Sequence, residues 1–289
     1  MTTEGERPAE RSPDRLRIIE RIAEYEREGK FDVDVEDDPP TRPLRPGEAD
    51  FTGRKFSSKI KTFFANRSAY RYFEGLIKKG DLVIKEVRGE ENCLFAKESG
   101  AVVTCNHFNP FDNYAVYRAL LPCLGKRPLY KVIREGNYTS FPGLYGFFFK
   151  NCNTLPIPSD YRLLAEMAAA ADELLKRGEK ILIYPEQAMW WNYRKPRPLK
   201  GGAFTFAAKA SVPVLPVFIT MTDSDRTGAD GFPVQEYTVN ILPAILPDPR
   251  LTARENAAVM KEKNFAVWKE VYEDFYGLPL SYADGKADG

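Results

Sequence analysis

From Leu82 to Tyr276 the chain alternates short apolar runs with stretches of helical period, and this rhythm restricts it to one fold class. "LVIKEV", "AVVTC", "PLYKVI", "TLPI", "KILIYP", "VPVLPVFI" and "VQEYTVNIL" have the length and composition of strands. Between them lie helix patterns. "NPFDNYAVYRALLPCL" has Asn109 as N-cap and Pro110 at its first position. "DYRLLAEMAAAADELLKRG" is capped by Ser159 or Asp160 and stopped at Gly178, and "GGAFTFAAKAS" is shorter. "ARENAAVMKEKNFAVWKEVYEDFYG" is a C-terminal helix. Strands joined through helices pair in parallel, so the expectation is an α/β fold with a central, largely parallel or mixed sheet flanked by helices. Two details follow. "VPVLPVFI" holds two prolines, which lack the ladder donor, and belongs at an edge or a bulge. The apolar run Phe147-Phe148-Phe149 reads as a buried strand, with an acyl-chain guide or a membrane contact as the alternative.

The first 80 residues follow other rules. "SPDRLRIIERIAEYEREG" is one amphipathic helix, begun at Ser12-Pro13 and ended near Gly29. "DVDVEDDPPTRPLRPGE" is acidic and rich in proline, the composition of an extended linker. Residues 1–50 are thus an N-terminal helical extension with an acidic linker, and residues 1–45 are expected to be dispensable. The charge then reverses. Residues 51–80 carry Arg54, Lys55, Lys59, Lys61, Arg67, Arg71, Lys78 and Lys79 against Glu74 alone, interleaved with aromatics. A helical register groups Ile60, Phe63 and Phe64 between lysines. That pattern suits basic amphipathic helices on an anionic membrane surface, and equally a helix packed on the domain with a solvated basic face. Residues 81–280 form the main domain.

Composition excludes several function classes. Lys+Arg is 42 against Asp+Glu 41, so no net field points to a nucleic-acid partner. Cys93, Cys105, Cys123 and Cys152 have no zinc spacing, and one histidine cannot complete a set, so no metal is expected. Cys105 lies in an apolar run and reads as a reduced structural thiol. The polar opening "MTTEGERPAE" is no secretory signal, and no apolar stretch is long enough to cross a bilayer. The expected setting is the reduced cytoplasm, with attachment to a membrane surface open.

The single histidine lies in "VVTCNHFNPFDNY", directly after a strand, with Asp112 five positions on. Loops at strand carboxyl ends are where α/β folds build sites. A carboxylate on one ring nitrogen would fix the tautomer and leave the other nitrogen as a base. The competing reading has Asp112 favouring the helix N-terminus and His107 satisfying a backbone carbonyl. No serine or cysteine nucleophile stands in a recognisable elbow, so a base here would serve an incoming substrate directly.

A second stretch bears on the choice. In "KILIYPEQAMWWNYRKPRPLKGGAFTFAAKASVPVLPVFI" a strand ends at Pro185-Glu186, a basic aromatic loop follows, and Lys200-Gly201-Gly202 opens a helix. Free backbone N–H groups at such a start suit an anion. "NHFNPFD" resembles the NH-x4-D motif of the lysophospholipid (glycerolipid) acyltransferase superfamily. "YPE" resembles the first half of its FPEGTR motif, "LKGGAFTFA" its Lys-Gly segment, and "VPVLPVFI" its last motif. "REG" at 134–136 corresponds to its Lys-Glu pair. The resemblance covers roughly residues 80–245, with the blocks in order.

The resemblance implies a glycerolipid-acyltransferase-like fold over 81–280 and acyl transfer. The donor would be a fatty acyl thioester on coenzyme A or acyl carrier protein. The acceptor would be a lysolipid hydroxyl, by default that of 1-acylglycerol-3-phosphate. No metal or bound cofactor is implied. The enzyme would sit peripherally on the inner face of the membrane. His107 and Asp112 become the catalytic pair, and Glu186, Gln187, Arg134, Arg194, Lys200 and Gly201 the candidate substrate-binding residues. The chain also departs from the pattern. The family's Glu-Gly-Thr-Arg is Glu186-Gln187-Ala188-Met189, and the arginine of "IPIDR" is missing from "LPIPSD". An acceptor phosphate would then be bound differently, with Arg162, Arg194, Lys195, Arg197 and Lys200 as possible substitutes, or the acceptor is not lysophosphatidate but a glycolipid or another lysophospholipid. Trp190, Trp191 and Tyr193 either line a pocket or anchor the loop on the core.

Overall fold

The computed structural model describes residues 10–37 and 39–283, so the polar opening 1–9 lies outside the described residues. Seven strands share one sheet: β1 Val83–Arg88, β2 Ala101–Thr104, β3 Leu129–Arg134, β4 Thr154–Ile157, β5 Lys180–Ile183, β6 Val214–Thr227 and β7 Pro233–Ile241. Their order is β1-β7-β6-β2-β5-β3-β4. Only β6 and β7 pair antiparallel; every other neighbouring pair is parallel. All residues of β2 and β5 are buried, as expected of central strands covered on both faces.

Among the described residues eight α-helices accompany the sheet: α1 Pro13–Arg27, α2 Phe56–Lys79, α3 Asp112–Leu124, α4 Glu135–Thr139, α5 Gly143–Asn151, α6 Tyr161–Lys176, α7 Gly202–Ala210 and α8 Ala253–Tyr276. Side chains alternate across the strands. Val102 and Ile181 pack on the face with Met167, Phe204 and Trp268. Val103 and Leu182 pack on the face with Phe73, Tyr114 and Leu120. Local chemistry sets the helix ends. Asp160 caps α6, accepting from the Arg162 and Leu163 amides. Thr252 and Glu255 form a reciprocal capping box on α8.

Three expectations require correction, and the edge-or-bulge expectation for "VPVLPVFI" resolves as the bulge. The helix holding Asp112 starts at that residue, two positions after Pro110, because Asn109 Oδ1 accepts from Phe111 N and Asn109 O from Asp112 N, closing a turn first. β6 is interior rather than an edge. Pro213 precedes the strand, and Pro216 within it is tolerated because the partner strand shifts by one residue between Val214↔Ile245 and Val217↔Ile241, leaving Pro216 at an irregularity. The phenylalanine run is helical (α5), with Phe148 buried and Phe147 exposed. Short apolar runs do not by themselves separate helix from strand. Finally, Cys93 and Cys123 are joined in a disulfide, which brings the 3-10 helix Glu90–Lys97 against α3. Cys105 and Cys152 are buried free thiols.

Residues 31–51 contain no regular element, yet Val35, Leu44 and Phe51 are buried. The segment runs as a strap along the carboxyl edge of the sheet. Trp190 Nε1 donates to Val33 O at 2.9 Å, Leu44 N to Glu135 Oε1 at 2.7 Å, and Thr139 Oγ1 to Arg42 O at 2.8 Å. Gly136 permits this approach: a Cβ there would stand 2.5 Å from Thr41 Oγ1.

The basic segment is the single helix α2. Phe73 is buried and stacks on Tyr114, while Phe56, Ile60, Phe63 and Phe64 are exposed. Tyr72 of α2 meets Tyr145 and Phe148 of α5, whose Leu144 and Phe147 are exposed as well. Among the described residues no helix is long and apolar enough to cross a membrane. Among them, too, no group of three His, Cys, Asp or Glu side chains could hold a metal ion.

Candidate active site

β2 and its parallel neighbours β5 and β6 deliver three segments to the carboxyl edge of the sheet. The residue after Cys105 secures the first. Asn106 is buried, and its carboxamide meets both backbone groups of Ile219: Ile219 N donates to Asn106 Oδ1 at 2.8 Å and Asn106 Nδ2 to Ile219 O at 3.0 Å. The side chain thus acts as one more strand residue on β6 and fixes where His107 leaves the sheet.

His107 Nδ1 lies 2.8 Å from Asp112 Oδ2. The Asp112 side chain is fully buried, while that of His107 is 22% exposed. Asp112 Oδ2 also accepts from Phe108 N at 3.1 Å and Asn109 N at 3.3 Å, and Oδ1 accepts from Tyr184 OH at 2.6 Å. A carboxylate receiving donors at both oxygens is an acceptor, so Nδ1 presents a proton to it. In a neutral ring that arrangement would leave Nε2 as the acceptor.

Behind the pair lies an ion pair that sequence reasoning assigned otherwise. Glu186 and Arg197 have side chains only 2% and 1% exposed and meet at 2.8 Å. Glu186 Oε2 accepts from His107 N at 3.0 Å, and Oε1 from Arg197 N at 2.8 Å. The guanidinium donates to His107 O at 3.1 Å, to Phe31 O at 3.0 Å and to Ala188 O. These two charges hold the loop of His107, the loop after β5 and the strap together. Arg197, one of the possible phosphate ligands, is enclosed and fully engaged.

The other candidates are dispersed along the same edge. Gln187 is exposed and adopts φ +67° beside Glu186. Arg134, at the end of β3, pairs with Asp34 of the strap. Lys200 pairs with Asp32 at 2.6 Å, and Arg194 with Asp223 at 2.7 Å. Lys195 pairs with Glu26 at 2.6 Å. Gly201 is the N-cap of α7, with open space on its side-chain side. Trp190 and Trp191 are buried; Trp190 anchors the loop in a cluster with Ile22, Val35 and Ala188, while Trp191 and Tyr193 line a cavity with Ile19 and Phe232.

Tyr184 and Asn106 stand inside the quoted motifs, yet no residue pattern singles them out; only distances reveal a role. Tyr184 lies parallel to the His107 ring, with centroids 3.9 Å apart. Burial, then the Asp112 carboxylate, raise its hydroxyl well above the phenol range, so it remains a donor. Burial and the Asp112 and Glu186 carboxylates likewise raise the Cys105 thiol well above its ordinary value. A thiolate nucleophile is thereby disfavoured beside His107.

Residues 84–220 match the family model described as Acyltransferase. The chain is 28% identical over 180 residues to "1-acyl-sn-glycerol-3-phosphate acyltransferase BAT2, chloroplastic" of Brassica napus, covering 62% of this chain and 46% of that protein. It thus spans about half the length of this curated relative. Among solved structures it aligns with the 1-acyl-sn-glycerophosphate (LPA) acyltransferase PlsC from Thermotoga maritima, with TM-score 0.49 and 21% identity, over 79% of this chain and 83% of that one. Residues 84–220 thus match an acyltransferase domain, and the ordered motifs within them resemble those of the lysophospholipid acyltransferase superfamily.

Proposed function

We propose that the protein transfers a fatty acyl group from a coenzyme A or acyl-carrier-protein thioester to a lysolipid hydroxyl, with 1-acylglycerol-3-phosphate as the default acceptor. The observation that carries this reading is the 2.8 Å contact between partly exposed His107 and fully buried Asp112. His107 Nε2 takes the acceptor's hydroxyl proton as its oxygen attacks the thioester carbonyl. The tetrahedral intermediate then expels the thiolate as the C–S bond breaks, and the imidazolium returns the proton to sulfur. Asp112 holds the tautomer and balances the imidazolium charge. A positioned base of this kind contributes about 10²–10⁴-fold. The exposed aromatics of α2 and α5, flanked by Lys59, Lys61 and Arg67, suit docking on the anionic inner face of the membrane, where both lipids reside.

One observation favours a second reading, an acceptor without a phosphate. Lys200, Arg134 and Arg194 are each met by a carboxylate of this chain, and Arg197 is enclosed. A glycolipid or another lysolipid would need none of them.

The test is thiol release from palmitoyl-CoA by wild type and His107→Ala, without acceptor and with lysophosphatidate, other lysophospholipids or monoacyl glycolipids. Release that requires both His107 and one acceptor supports the reading and names the acceptor. Hydrolysis indifferent to every acceptor would replace it with a thioesterase. Absence of release with palmitoyl-CoA and with palmitoyl carrier protein would leave a lipid-binding scaffold.

A further inference from the structure

We infer that Tyr184 is a positioning residue for the base, forming with Asp112 and His107 a three-member Tyr-Asp-His unit; this rests on the general-base role proposed for His107. Two independent contacts carry the inference. The hydroxyl donates to Asp112 Oδ1 at 2.6 Å, the oxygen that His107 does not use. The ring lies over the imidazole at 3.9 Å between centroids and 17° between planes.

Each contact has a distinct consequence. The hydroxyl fixes the rotation of the carboxylate, since Oδ2 alone serves His107, Phe108 N and Asn109 N. It also draws charge from the carboxylate, moderating the support Asp112 gives to the imidazolium. The aromatic face acts in the opposite direction. Lying parallel to the imidazole, it favours the cation that forms as the substrate's proton arrives. It also limits rotation of the imidazole about its side-chain bonds, keeping Nε2 in one direction. Tyr184 therefore holds both partners of the dyad: the carboxylate by its hydroxyl, the imidazole by its ring.

Other charged or titratable groups surround the unit. Glu186 and Arg197 face it from the loop after β5, Cys105 from the end of β2, and Tyr237 from β7. None of them bonds the Asp112 carboxylate; its donors are His107, Phe108, Asn109 and Tyr184. Removing the Tyr184 hydroxyl thus changes one acceptor site while the remaining charges stay in place.

The experiment measures the pH dependence of kcat and KM for palmitoyl transfer by wild type, Tyr184→Phe, Tyr184→Leu, His107→Ala and the His107→Ala/Tyr184→Phe double variant. Tyr184→Phe is expected to lower kcat about 3–10-fold, the worth of one hydrogen bond, with unchanged acceptor KM. Its acid limb should move to higher pH, because the carboxylate then supports the imidazolium more strongly. Tyr184→Leu loses the ring as well, so kcat falls further and the acid limb moves back down. In the His107→Ala background Tyr184→Phe should have no added effect. A His107-dependent enzyme whose Tyr184→Phe variant keeps the wild-type kcat and acid limb would overturn the inference. So would an equal Tyr184→Phe loss with and without His107. Equal rates for wild type and His107→Ala would instead overturn the base assignment, and the inference with it.

Discussion

Replacing Glu186 separates a substrate contact from a buried strut. The sequence places it among substrate-binding residues, whereas its carboxylate is 2% exposed and meets the equally enclosed Arg197. Glu186→Ala would leave that guanidinium charged and without its counter-ion, a change that costs about 3–5 kcal/mol. The amides of His107 and Arg197 would also lose their acceptor. Their losses are not added separately, because the groups form one network. For a domain of this size about 2–4 °C of melting temperature accompanies each kcal/mol, so Glu186→Ala should melt about 6–20 °C below wild type. Glu186→Gln keeps the shape and one acceptor and should lose less. Replacing both partners with apolar residues, Glu186→Leu with Arg197→Met, should melt above Glu186→Ala, since no lone charge remains. The assay is thermal unfolding followed by circular dichroism, alongside acceptor KM. A Glu186→Ala variant that melts within about 2 °C of wild type while its acceptor KM rises would refute this reasoning.

Further expectations concern other parts of the chain. Deleting residues 1–45 should destabilise the protein, contrary to the dispensability expected from composition. The deletion uncovers Trp190 and Ala188 and removes the Phe31 carbonyl from Arg197, and a loss of melting temperature reads this out. Phe63→Ser/Phe64→Ser on α2 should weaken sedimentation with anionic vesicles while leaving the melting temperature near wild type, because both rings are exposed; unchanged sedimentation would argue against docking by this helix. Reducing Cys93–Cys123 should lower stability by about 3–4 kcal/mol in the chain-entropy account, given its sequence separation of 30, and melting with and without a reductant measures this. Hydrogen bonding to Arg42 holds the Glu48 carboxyl down to about 2 from 4.5. A depressed carboxyl contributes stability that is fully present above about 4.5 and lost as pH falls toward 2, so Glu48→Gln should flatten acid unfolding in that window.

Much of the fold was legible because its signals are local. The apolar runs of β2 and β5 require neighbours on both faces, and the cap at Asp160 acts within three residues of itself. His107 and Asp112 were legible for the same reason: five residues separate them, and a strand end followed by a helix start is enough to fold one onto the other. Where two local solutions compete, the sequence was ambiguous. The phenylalanine run suits a strand or a helix until Ala65 and Cys152 are found around Phe148.

By itself, then, the sequence determined the class of sheet and the place of His107 and Asp112 at a strand end, because each depends on residues within a few turns of one another. Tertiary structure alone decided what surrounds the dyad. Tyr184 is 72 residues from Asp112, Ile219 is 113 from Asn106, and Phe31 is 166 from Arg197, and no periodicity encodes such pairs. It also decided that β6 lies inside the sheet and that an acidic, proline-rich segment is a packed strap. Composition measures a segment's average tendency to be solvated. Burial of Val35 and Leu44 depends on the apolar and hydrogen-bonding surface that folding brings to meet them.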